Sequence, residues 1–168
     1  MTSRPGDALL TVQGTAPLDA APLDAIRGLL EASMGLPTPW RIERVDLRLT
    51  ESCLSVRVGH AADASWPCPR CDVVSPCHDH GMEREWRHLD FCQCRLLLHA
   101  SVPRVACPRH GVAEVTVPWA ETGSRYTSAM AHHIGSLAAI GGVGEASRAL
   151  DIRWEDAWRL LMARRVGV

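Results

Sequence analysis

Apolar residues recur along this chain with two different periods, and the change between them divides it. Leu23, Ile26, Leu29, Leu30 and Met34 fall on one face of a short helix, which Gly35 and Pro37 end. From Trp40 the period is two: Trp40, Ile42, Val45, Leu47 and Leu49 alternate with polar positions, with one slip near Glu43-Arg44. Leu54, Val56 and Val58 answer them, which predicts a two-stranded hairpin turning near Thr50–Ser52. The polar stretch Ser75–Gly81 reads as a loop. Glu85–Asp90 and Cys94–Val105 are further strand candidates, and Val112–Val117 alternates again.

From Thr127 the period lengthens to near 3.6. Met130, His133, Ile134, Leu137 and Ala138 line one face of a helix that Gly141-Gly142 breaks. Gly144–Leu150 makes a short second helix. Asp151 is placed to cap a third, with Glu155 and Asp156 in its first turn, where the helix dipole favours acids. Trp154, Ala157, Trp158, Leu161 and Met162 then form a stripe expected to be buried, with Ala146, Leu150 and Ile152 as the inside corner against the two tryptophans. Residues 1–21, rich in Pro, Gly, Ala and Asp, read as a flexible arm.

These patterns predict an α+β protein in three parts. After the arm, residues 22–120 form a β-rich zinc-binding domain: a small antiparallel, zinc-ribbon-like unit with an N-terminal helix and hairpin. Residues 121–168 form a C-terminal three-helix helix-turn-helix DNA-binding domain.

The metal expectation comes from spacing. Cys68-Pro69-Arg70-Cys71 is answered 36 residues later by Cys107-Pro108-Arg109-His110. Two such knuckles, with a mostly strand-like stretch between them, suit a tetrahedral zinc held by Cys68, Cys71, Cys107 and His110. Four protein donors leave no position for water, so the zinc is expected to be structural and no catalytic residue is assigned. The bland alternative is a set of buried thiols.

Cys77-His78-Asp79-His80 is a second run of donors, but four adjacent donors need extra geometry to converge on one metal. Cys92 and Cys94, at strand spacing, either replace a ligand or pack. Cys53, His60, His88 and His99 read as structural or solvent-facing, and the adjacent His132 and His133 diverge on a helix.

Composition changes the picture in two places. All 18 basic residues are Arg, for which the plain cause is a GC-rich genome, although the side chain also suits phosphate forks. Net charge is −1, yet residues 1–81 carry seven Arg and ten acids while residues 82–168 carry eleven Arg and nine acids. The positive half is the half with the helical pair, which agrees with nucleic-acid contact. Arg153 and Arg159 are the candidates for base edges or phosphates, with Arg148, Arg164 and Arg165 for the DNA backbone. The plain alternative is a helical hairpin with solvated arginines.

Seven cysteines without an export signal point to a reducing cytoplasm, and no apolar run is long enough to span a membrane. A cytoplasmic, nucleoid-associated protein is expected.

Cys68-Pro-Arg-Cys71, Trp86-Arg-His-Leu-Asp90, Val102–Gly111, Val115–Ala120 and Gly123–Thr127 together resemble the amino-terminal part of ISL-three family insertion-sequence transposases. The resemblance spans about residues 40–165, and Val102–Thr127 is its most specific run. It implies zinc at Cys68, Cys71 and Cys107, with cysteine common in relatives where His110 stands here. It further implies a helix-turn-helix and then a nuclease domain downstream of Val168, so strand transfer is not expected of this chain alone.

The function expected is a zinc-stabilised DNA-binding module that recognises the terminal inverted repeats of a transposon as double-stranded DNA. Protein partners would be a second copy or a full-length transposase. One rival is a protein-interaction or regulatory module that pairs with an intact transposase. Another, a zinc hydrolase, is disfavoured because no His-Glu pair at helix spacing stands beside the knuckles.

Overall fold

A computed structural model describes residues 10–12 and 20–165, with side chains from Arg27 to Ala163. Helix α1 (Ala20–Met34) precedes the hairpin β2 (Trp40–Arg48) and β3 (Cys53–His60), and a short strand β1 (Leu10–Val12) pairs with β2 in parallel. The predicted arm therefore contributes a strand. Residues 1–9 and 13–19 lie outside the described residues.

The hairpin turns through one 3-10 turn at Leu49–Glu51 and closes at Ser52, which is left-handed at φ 47°. The alternation slip at Glu43-Arg44 is a β-bulge: Ile42 pairs with Val58 and Arg44 with Arg57. On α1, Leu30 is buried under the sheet but Leu29 is 59 % exposed, so the buried face is narrower than the periodicity suggests.

Four strands follow: β4 (Ser65–Pro67), β5 (Val74–Arg87), β6 (Arg95–Cys107) and β7 (Gly111–Glu114). The sheet order is β1-β2-β3-β6-β5-β4, with β7 also on β6. Two pairings, β1 with β2 and β3 with β6, are parallel. The expected small antiparallel unit is thus corrected to one seven-stranded mixed sheet within an α+β fold.

The predicted loop Ser75–Gly81 is corrected as well, because it is the first half of β5. Its main chain pairs with β6 (Cys77 with Val105, His80 with Pro103), and backbone ladders need no apolar alternation on a solvated face. Cys92 and Cys94 are not on a strand. They belong to the tight turn that joins β5 to β6, where Cys92 and Gln93 are both left-handed.

The main core lies under β2, β3 and β6, with Ile42, Val56, Leu96, Leu98 and Val102 fully enclosed. Four tryptophans extend it. Trp40 lies against Trp66 and Trp119 at centroid distances of 4.7 and 4.8 Å, and Trp119 meets Trp86 edge-to-face at 5.5 Å. Val115, Val117 and Trp119 pack into this core although the strand itself ends at Glu114.

Helix α2 (Ser128–Ala149) is capped by Thr127, whose hydroxyl oxygen accepts from the Met130 amide. It kinks at Gly142 (φ 81°, ψ 169°), a conformation open to glycine, so the predicted break is real. The turn Leu150–Arg153 leads into α3 (Trp154–Arg165). Asp151 is left-handed in that turn, and the Arg153 carbonyl receives the first helical amides, so Asp151 is not the cap.

A second core of Met130, Ile134 and Ala157, with Leu150, Ile152 and Leu160 against it, joins the two helices. The expected tryptophan stripe is corrected: Trp154 and Trp158 are 48 % and 43 % exposed, and the face turned inward is Asp156-Ala157 with Leu160. No described helix is long and apolar enough to cross a membrane.

The buried member of that face is a carboxylate. Asp156, 3 % exposed, accepts from the Tyr126 hydroxyl at 3.0 Å and faces Arg153, Arg159 and Arg125 at 3.2–3.6 Å. Burial pushes its pKa up, but the Tyr126 hydrogen bond and the charges of Arg153 and Arg125 outweigh this and hold it below the usual carboxylate value. A carboxyl with a depressed folded pKa stabilises the fold above its unfolded pKa and loses that contribution as pH falls through the folded value. Replacing Asp156→Ala is expected to cost about 1–3 kcal/mol at pH 7. The cost should shrink as pH falls below about 4, where the unfolded carboxyl takes up its proton, and vanish once the folded one does so at lower pH. Equal wild-type and variant melting at pH 7 would contradict this.

Candidate metal centre and arginine groove

Both knuckles fold by the same local device. The Cys68 carbonyl accepts from the Cys71 and Asp72 amides, and Asp72, directly after the second donor, is left-handed at φ 58°. Gly111 takes the same conformation directly after His110, at φ 70°, and pairs back to Cys107. Each left-handed residue reverses the chain so that both donors of its knuckle point the same way.

The four predicted donors converge. Their ligand atoms all lie within 4.8 Å of one another. Cys71 Sγ and Cys107 Sγ are 3.6 Å apart, and His110 Nδ1 is 3.7 Å from both Cys68 Sγ and Cys107 Sγ. Zinc bonds of about 2.3 Å to sulfur and about 2.0–2.1 Å to nitrogen require tetrahedral edges of about 3.5–3.8 Å. The donor set fits zinc.

The surroundings suit thiolates. The Arg109 and His110 amides donate to Cys107 and lower its pKa to about 6. Cys71 receives the Val73 amide, while burial and the neighbouring thiols Cys107 and Cys68 raise its pKa. Cys68 and Cys107 are buried, Cys71 is half-buried and His110 is exposed. Four protein donors complete the sphere, which is the arrangement of a structural ion.

Other sulfurs and imidazoles are placed differently. Cys53 and Cys94 are buried and Cys92 is exposed, all away from the ribbon donors. His88 is buried against Thr127 Oγ1 at 2.8 Å, and burial lowers its pKa. His60, read from sequence as structural or solvent-facing, lies instead beside Cys77 and His80.

The structure also assembles a groove that the sequence did not announce. A cavity of about 810 Å³ opens between the β5–β6 end of the sheet and the helical region, lined by Arg84, Arg87, Arg95, Arg125 and Arg153. Glu85, Asp151 and Asp156 share its walls, leaving an excess of two positive charges. The five arginines come from four separate stretches of chain, so no local motif signals them. Only their excess over acids in residues 82–168 hinted at such a surface.

Of the arginines predicted to meet DNA, Arg153 and Arg159 both pair with Asp156, and Arg153 also lines the groove. Arg148 is exposed and pairs with Glu145 at 2.6 Å. The side chains of Arg164 and Arg165 lie outside the described residues.

The donor set and its turns define a zinc ribbon. Residues 64–110 match the family model described as the zinc-finger of transposase IS204/IS1001/IS1096/IS1165. The chain is also similar to the transposase for insertion sequence element IS1557 from two strains of Mycobacterium tuberculosis, CDC 1551 / Oshkosh and ATCC 25618 / H37Rv. Each is 34 % identical over 88 residues, which cover 52 % of this chain and 20 % of the relative. The aligned part thus spans about a fifth of the curated relatives' length. The family match falls on the zinc-finger region and not on a catalytic domain. No solved structure matches this chain.

Proposed function

We propose that this chain is a zinc-stabilised DNA-binding module of a transposase and that it recognises double-stranded transposon-end DNA, the terminal inverted repeats. Residues 22–120 act as the zinc-binding unit, with Cys68, Cys71, Cys107 and His110 holding the ion. Residues 121–168 act as a helix-turn-helix, in which the arm of α2 after Gly142, the turn Leu150–Arg153 and α3 have the required proportions.

The observation that carries this reading is the arginine groove where the sheet meets the helical region. Guanidinium groups bind phosphate as planar forks, and five along one groove suit a nucleic-acid backbone. Arg148, Arg159, Arg164 and Arg165 are assigned to further contacts with the same DNA.

The test is fluorescence anisotropy of a labelled duplex carrying the element end, against a scrambled duplex, at several salt concentrations. With about four phosphates neutralised, affinity should fall about 100-fold between 50 and 200 mM salt. Arg125→Ala should weaken binding to both duplexes and reduce the salt slope by about one. Affinity that ignores salt, or no preference for the element end, would overturn the reading.

A second reading rests on a different surface. The rings of Trp154 and Trp158 are stacked, with centroids 5.4 Å apart and planes 9° from parallel, on the exposed face of α3. An open aromatic pair of this kind suits a protein partner, either a second copy or an intact transposase. Sedimentation without DNA separates the two, since only the second reading requires association that Trp154→Ala and Trp158→Ala abolish.

A further inference from the structure

A second cluster of metal donors stands apart from the ribbon and shares none of its residues. His60 ends β3, while Cys77 and His80 lie on β5, and their ligand atoms all fall within 4.8 Å of one another. The strand order explains the meeting. β3 pairs with β6 but the next strand, β4, pairs with β5, so the β3–β4 connection must cross from one side of β6 to the other. His60 stands where that crossing begins.

The protonation pattern around His60 favours a ligand. Its Nδ1 lies 2.8 Å from the Ala61 carbonyl, which can only accept, so Nδ1 carries the proton and the neutral ring presents a bare Nε2. A backbone carbonyl holding the distal ring N–H is the usual outer support of a metal-bound histidine. That bare Nε2 is 2.9 Å from His80 Nε2, and Cys77 Sγ is 3.8 Å from the same atom.

The ring of His60 is held edge-to-face by Trp66 at 5.3 Å and by Trp40 at 6.0 Å, so one donor is fixed by the core. The neighbouring carboxylate is engaged elsewhere, because Asp79 pairs with Arg104.

We infer that His60, Cys77 and His80 form a second site for a divalent transition metal, zinc by the borderline softness of two imidazoles and one thiolate. Without metal, His80 Nε2–H donates to His60 Nε2, and the Cys77 thiol donates to the Asp79 carbonyl at 3.2 Å. On metal uptake, Cys77 releases its proton to solvent and becomes a thiolate. The His80 proton moves to Nδ1, freeing Nε2 as the third donor. The exposed side at His80 leaves a fourth position for water. The bound ion ties the β3–β4 crossing to β5, a link that main-chain hydrogen bonds between β3 and β5 do not supply. This inference does not depend on DNA binding.

The test uses the tag-free full chain, stripped of metal and titrated with Co²⁺ while thiolate-to-cobalt and ligand-field absorption are followed, with bound zinc counted by elemental analysis. Two equivalents per chain are expected, the second with the weaker thiolate band of a single sulfur donor. His80→Ala, a change at an exposed position, should weaken the second equivalent by more than the roughly 10–100-fold that loss of an outer-shell partner costs, and leave the first intact. Cys77→Ser should remove the single-sulfur band. Saturation of the wild-type chain at one equivalent would overturn the inference. So would a second equivalent that persists at full affinity in His80→Ala.

Discussion

Replacing Cys107→Ser, or stripping zinc with a chelator, is expected to abolish the cooperative thermal transition of the sheet. Cys107 and Cys68 are not surface attachments. Both are buried members of the main core, packed with Val105, Trp66 and Ala64 in one continuous cluster. With the ion gone, Cys107, which the Arg109 and His110 amides favour as a thiolate, stands close to two other sulfurs, and the knuckles lose the link that joins residue 68 to residue 110. Loss of a structural metal is among the few single changes that exceed about 4–5 kcal/mol. Set against a total stability of about 5–15 kcal/mol, that is enough to unfold much of the population. Circular dichroism melting of zinc-loaded and chelated samples decides it. A metal-free chain that melts cooperatively at the wild-type temperature would mean that the hydrophobic core stands without zinc.

Trp86→Ala should cost about 3–5 kcal/mol, the range for removing a fully enclosed large aromatic. At about 2–4 °C per kcal/mol for a chain of this size, melting should fall by about 6–20 °C. Trp86 sits in β5 opposite Leu98, is completely buried, meets Trp119 edge-to-face and carries the Arg84 guanidinium over its ring at 4.8 Å. Trp86→Phe offers the sharper comparison. The indole Nε1 has no hydrogen-bond partner among the described residues, so phenylalanine removes a polar group that burial penalises while keeping most of the ring contact. The phenylalanine variant should lose less than half of what alanine loses. Alanine and phenylalanine variants melting together would show that the site relaxes around the cavity.

How much of this was legible in the sequence depended on whether the signal was local. The two Cys-Pro-Arg knuckles could be read because each donor pair is set by its own turn, and the structure brings all four together. The bulge announced itself as a slip at Glu43-Arg44, and the kink as Gly142. The first half of β5 was hidden because it is a strand by main-chain pairing with β4 and β6, and the polar run Cys77–His80 looks like a loop. Trp154 and Trp158 were misplaced because a stripe of large apolar residues at helical spacing normally faces a core. Here the helix is anchored by the small Ala157 and by Asp156, whose burial makes sense only with Tyr126 and three arginines around it. The arginine groove had no local signature, and of the His60 cluster only the Cys77–His80 run could be read, since each gathers residues from strands and turns that the fold alone makes neighbours.

The strand order carries a last consequence. The β2–β3 hairpin and the β5–β6 hairpin are joined by one seam, Cys53–Arg57 running parallel to Arg95–His99. The matched ribbon, residues 64–110, lies wholly on one side of it. Excised at those bounds, β6 would present bare amides and carbonyls along Arg95–His99, flanked by Leu96 and Leu98, as an open apolar edge of the kind that captures another chain. The ribbon in this protein is therefore not a detachable cassette. A fragment that stays in solution has to bring β2 and β3 with it.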